Sequence, residues 1–176
     1  MTTLAREALR YPIVRSGGLF LVIVGAGLLA GIAASGDAPV SFGVFYAALA
    51  AALVSLLFAG RLSFGEPTPL QIGALIFAVS LEGALFVLQA RLLPPGTSEE
   101  VRWLWVSLIV GVHFLPMAVA FGPRMLLLGG GLITTALVGL SLPSVPYEVF
   151  GIVDGTLKVA VGAWMLATKP AVGGLH

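Results

Sequence analysis

The sequence predicts an all-α polytopic membrane protein, a single bundle of six transmembrane helices with both termini in the cytoplasm. Three observations point there. The first is composition. Of 176 residues, 59% are hydrophobic and 10% are charged, and the mean hydropathy is +1.07. A soluble domain carries about 25% charged residues, so this chain cannot cover itself with polar surface and its solvent must be largely lipid. The second is the recurrence of apolar stretches. Six of them, at 17–34, 41–59, 70–90, 101–121, 125–142 and 147–168, run 18 to 22 residues each. At about 1.5 Å per helical residue, each matches a hydrocarbon layer about 30 Å thick. The third is the asymmetry of basic residues. With six spans, Arg6, Arg10, Arg15, Arg61, Arg124 and Lys169 share one side, and Arg91 and Arg102 the other. Basic loops stay in the cytoplasm. Both ends are therefore expected there, in a membrane of the bacterial inner (plasma) type.

Composition also excludes several function classes. The net charge is +1 and no basic tract alternates with aromatics, so nothing recommends a nucleic-acid partner. There is no cysteine, which removes disulfides, thiolate metal sites and a Cys nucleophile. Of the two histidines, one is the final residue His176, so no multi-His metal site can be assembled. No glycine-rich phosphate loop follows a strand, and Gly129, Gly130 and Gly131 lie inside an apolar run.

In chain order, residues 1–16 form an interfacial N-terminal segment. Leu4, Ala8 and Tyr11 can share the apolar side of a short amphipathic helix lying on the membrane. The first span ends in Ala33, Ala34 and Ser35, small residues like those of a signal-peptidase site, but the basic region ahead of it is long for a leader. Gly27 and Gly31 on this span offer a helix-packing seam, within the chain or between copies. The second span is rich in alanine, and 60–69 is a short polar loop. The third span carries Gln71, Ala78, Glu82 and Gln89 on one face, a polar path along a membrane helix. The longest loop, 91–100, precedes the fourth span, which holds His113 and Pro116. Gly122, Pro123 and Arg124 turn the chain back. The fifth span is thin on side chains, and a five-span chain would need it to merge or re-enter. The sixth, after Pro146, carries Asp154 and Lys158 one turn apart, with Gly151, Gly155 and Gly162 on the same face. Such a face belongs inside a bundle, because glycines admit a neighbouring helix and buried charges avoid lipid.

An internal repeat is visible at one place. Residues 81–87 and 153–159 both read apolar, acid, Gly, any, Leu, any, Val. Three spans followed by three give halves of opposite orientation, the pattern of inverted-repeat transporters. The first and second spans align poorly with the fourth and fifth.

Four ionisable residues are the candidate site: Glu82, His113, Asp154 and Lys158. Each stands near the middle of a span. Each has a structural alternative, as interhelical glue or as a self-neutralising pair. Pro116 cannot donate a backbone hydrogen bond, so it leaves the Val112 carbonyl free beside His113 and should kink the fourth helix. Trp103, Trp105, Tyr11, Tyr147 and Trp164 lie near span ends and read as an interfacial belt, and Glu148 as a solvated boundary residue. Thr134, Thr135 and Ser141 read as bonded to their own helix backbone.

One local resemblance exists. Asp154, Lys158, Val159 and Gly162 are similar to the last helix of microbial rhodopsins, in which the lysine holds retinal as a Schiff base. The resemblance implies a chromophore at Lys158. It is confined to that helix. The third span lacks the arginine and second aspartate of that family, the fifth lacks its Trp/Tyr/Pro wall, and the chain is one span short.

The leading expectation is a small transporter or channel-like protein that relays a proton, ion or small polar solute through Glu82, His113, Asp154 and Lys158. The alternative is an accessory membrane subunit whose polar residues fasten helices or bind a partner. A lipid-modifying enzyme using His113 with Glu82 is a lesser one. Lipid is the surrounding partner, with a homo-oligomer or larger membrane complex the association its glycine seams would serve.

Overall fold

The computed structural model describes residues 10–36 and 38–168. Arg6, Lys169, His176 and residues 1–9 of the expected interfacial segment lie outside the described residues. The described chain is all helix and turn, in seven helices: α1 Val14–Ala33, α2 Phe42–Leu56, α3 Ala59–Leu62, α4 Pro69–Leu92, α5 Glu99–Phe121, α6 Arg124–Ser141 and α7 Tyr147–Leu166. Five of them (α1, α4, α5, α6 and α7) are long and apolar enough to cross a membrane.

Local chemistry sets several of the boundaries. Thr68 and Gln71 make a reciprocal capping box at the start of α4, and Pro69 occupies its first turn. The Ser98 hydroxyl accepts from Val101 N–H at 3.4 Å, and Glu99 and Glu100 sit at the positive end of the α5 dipole. α5 ends at Gly122, whose φ of 98° is open to glycine and strained for other residues. Pro116 lies within α5, and the helix continues past it to Phe121.

The second apolar segment departs from expectation. Its helix stops at Leu56 rather than running to residue 59. The Ser55 hydroxyl bonds back to the Ala52 carbonyl at 2.6 Å, and the next two amides bond three residues back, Leu57 to Val54 and Phe58 to Ser55. That tightening closes the helix and bends the chain into α3. α2 alone spans about 22 Å at 1.5 Å per residue, less than a hydrocarbon core.

The helices run back and forth between two ends of the bundle. At one end the Phe64 amide donates to the Pro12 carbonyl at 2.8 Å, Gln71 reaches the Arg10 carbonyl, Phe121 touches Gly17, and Arg124 bonds Thr168. At the other end Gln89 donates to the Arg102 carbonyl, and Trp103 meets Phe42, Phe45 and Tyr147.

α1 and α7 form the most extensive contact, antiparallel and backbone to backbone. A Cβ on Gly18 would fall 2.7 Å from the Gly162 carbonyl oxygen, and one on Gly25 would fall 2.7 Å from that of Gly155. Only glycine allows that approach. Gly151 meets Ile32 of α1. Gly27 and Gly31 face the other way, onto Ala48 and onto Val40 with Phe45, and seat α2 against α1. Gly111 and Gly129 join α5 to α6 in the same manner. α4 packs on α5 at the edge, with only Gln71 and Ala78 fully buried.

Candidate functional site

α7 places two charges in the interior. Asp154 and Lys158 are both buried and form an ion pair across one turn. The second aspartate oxygen, Oδ2, accepts a hydrogen bond from the Ser107 hydroxyl of α5 at 2.7 Å. The pair is thus tied to a second helix, which satisfies a carboxylate that lipid or an apolar core would leave bare.

A second pair stands on α4 and α5. His113 Nδ1 lies 3.6 Å from Glu82 Oε1. That is too long for a hydrogen bond, and Nδ1 is buried with no hydrogen-bond partner among the described residues. His113 is buried, while the Glu82 side chain keeps 25% of its surface exposed. The two pairs form one group around α5, which carries both His113 and the Ser107 that bonds Asp154. Three helices supply it: Glu82 from α4, Ser107 and His113 from α5, Asp154 and Lys158 from α7. Among the described residues no group of three or more His, Cys, Asp or Glu is arranged to hold a metal ion.

Gln71 and Gln89 lie away from this cluster, near the two ends of α4. The Gln71 side chain accepts from the Thr68 amide at 2.9 Å and donates to the Arg10 carbonyl at 2.9 Å. Gln89 donates to the Arg102 carbonyl at 3.1 Å. Each holds α4 to a neighbouring segment. The Thr134 and Ser141 hydroxyls bond to carbonyls of their own helix, those of Gly130 and Leu137.

Two residues read as interfacial belt are internal. Trp103 packs against Phe42, Phe45 and Tyr147, and Tyr147 is only 1% exposed. The reason is tertiary: α1, α2, α5 and α7 converge at this end and enclose the aromatic rings. Trp164 does sit at the surface, under the Arg124 guanidinium at 4.5 Å, while Arg124 Nη1 donates to Thr168 Oγ1 at 2.8 Å. Ser107 carried no signal as a lone serine in an apolar run. Tyr147 carried one, since it stands seven residues before Asp154 and so shares its helix face.

The fold and this cluster define a class: a chain all-helical over the described residues, whose long apolar helices suit a membrane, with a buried ion pair in its interior. A family model matches residues 5–173, and the chain belongs to that family, the family of unknown function DUF6609. No curated protein and no solved structure matches it.

Proposed function

We propose that this chain is a six-span integral membrane protein, with both termini cytoplasmic, that relays a proton, ion or small polar solute through its polar centre. The observation that carries the reading is the pair of acid–base contacts built by three helices, Asp154 with Lys158 and Glu82 with His113, both touching α5, through Ser107 and through His113 itself. Ionisable groups inside apolar bundles are expensive, and they mark pathways and proton relays. Pairs that only neutralise each other are often replaced by apolar residues without loss of stability.

Support for six crossings comes from the alternation of the chain between two ends, with α2 and α3 together making the second passage. The packing also supports a 3+3 inverted repeat. α1 packs on α7 of the other half, and α5 packs on α4. α2 seats on α1 as α6 seats on α5. Exchanging the halves exchanges these contacts and exchanges Glu82 with Asp154, although α6 packs on α7 while α2 makes no comparable contact with α4.

In this mechanism Asp154 or Glu82 takes up a proton and loses its attraction for its partner. The released Lys158 or His113 then turns to the other acid. The Pro116 region of α5, which joins both pairs, is the moving part. Proteoliposomes with a trapped pH or ion indicator test it. Asp154→Asn should abolish flux while circular dichroism and gel filtration stay unchanged, and undiminished flux would refute the relay.

The depth of the Asp154–Lys158–Ser107 contact favours a second reading, an accessory subunit in which the pair fastens α7 to α5. On that reading Lys158→Met lowers stability or assembly, and the wild type moves nothing.

A further inference from the structure

Tyr147 has a hydroxyl that the cluster described above does not use. The residue is 1% exposed, and its hydroxyl is buried without a hydrogen-bond partner among the described residues. A buried hydroxyl left unpaired is destabilising, and in a native structure it calls for an explanation. Its surroundings supply one. The Tyr147 ring rests on Trp103, their centroids 6.0 Å apart, and Trp103 stands one turn before Ser107 on α5. The ring also folds back along α7, its Cζ 3.1 Å from where a Cβ on Gly151 would lie, which carries the hydroxyl toward Asp154 on the next turn and toward the Ser107 that bonds it. Ser107 already donates to Asp154 at 2.7 Å. Tyr147 is the first residue of α7, at the end of the bundle that the six-span orientation makes the outer one. Glu148 beside it is half-buried, and its Oε2 is buried without a hydrogen-bond partner among the described residues.

We infer that Tyr147 and Ser107 form the outer access path by which a proton reaches Asp154, which makes the proton the species this site takes. The inference rests on the relay reading above. Hydroxyls both donate and accept, so a chain of them can pass a proton without moving a heavy atom far. In the step, an outer hydronium gives its proton to Tyr147 Oη and becomes water. The O–H bond of Tyr147 breaks as Ser107 Oγ takes that proton, and the O–H bond of Ser107 breaks as Asp154 Oδ2 takes its own. Each hydroxyl ends with one hydrogen, and Asp154 ends neutral. A metal cation fits this place poorly. It needs several oxygen ligands, whereas one Asp154 oxygen already holds the Lys158 ammonium, whose charge repels a second cation.

The test is proton flux in proteoliposomes with Tyr147→Phe, Ser107→Ala and Asp154→Asn beside the wild type, together with the thermal midpoint of each in detergent. Tyr147→Phe removes one unpartnered oxygen. It should cut proton flux at least several-fold and leave the midpoint equal or higher, a combination that a merely structural tyrosine would not give. Ser107→Ala should slow flux as much or more. Flux abolished by Asp154→Asn but untouched by Tyr147→Phe and Ser107→Ala overturns the path and leaves the relay. Transport of another ion or solute without proton movement overturns the path and its proton and leaves the wider reading. No movement of any species in the wild type overturns both.

Discussion

Lys158→Met removes the cation from the buried pair and measures what the pair contributes. In the wild type Asp154 is 1% exposed, with Lys158 on one oxygen and Ser107 on the other. Without the ammonium, a carboxylate remains in an apolar interior with one neutral donor. Breaking a buried pair from one side costs about 3–5 kcal/mol, a large part of a total stability of about 5–15 kcal/mol. The Ser107 hydrogen bond cannot account for such a loss, since interhelical bonds in membrane proteins average about 0.6 kcal/mol. The double variant Asp154→Asn, Lys158→Met leaves no isolated charge. It should lie within about 1 kcal/mol of the wild type, or above it. Reversible unfolding in mixed detergent micelles, run on both single variants and the double, gives the coupling directly. A Lys158→Met loss below about 1 kcal/mol, the scale of a solvated surface pair, would refute the reasoning, because it would mean that water reaches the pair.

Two further outcomes follow from the packing and the exposure. Gly25→Ala places a methyl 2.7 Å from the Gly155 carbonyl oxygen and should force α1 from α7, costing about 1–3 kcal/mol. Gly83→Ala meets nothing within 4 Å and should gain about 0.5–1 kcal/mol from helix propensity, so unfolding of the two variants should shift in opposite directions. A lipid-soluble carbodiimide should form an N-acylurea on Glu82, whose side chain is 25% exposed, and not on Asp154, whose side chain is 2% exposed. Peptide mass mapping reads this out, and label on Asp154 with Glu82 unmodified would contradict the burial.

The helices were legible because their causes are local. Apolar runs, the Thr68–Gln71 capping box and the Gly122-Pro123 turn act within a few residues of themselves. α2 shows the limit of that logic. Its composition is uniformly apolar, yet the back-bonding of Ser55 ends it early. A count of hydrophobic residues does not register one hydroxyl.

The site divides along the same line. By itself the sequence determined that Asp154 and Lys158 stand one turn apart on a glycine-bearing face, because four residues on a helix bring side chains together wherever that helix goes. It also determined that four ionisable groups sit in apolar stretches. Only the tertiary structure decided that His113 faces Glu82 while Ser107 meets Asp154, that Gly18 and Gly25 rather than Gly27 and Gly31 receive α7, and that Tyr147 is enclosed rather than at a lipid boundary. Each of these joins residues far apart in the chain. Such contacts depend on which faces of α1, α4, α5 and α7 are turned together, and helices apolar nearly all round leave that choice to the close fit of glycines, aromatic rings and buried charges.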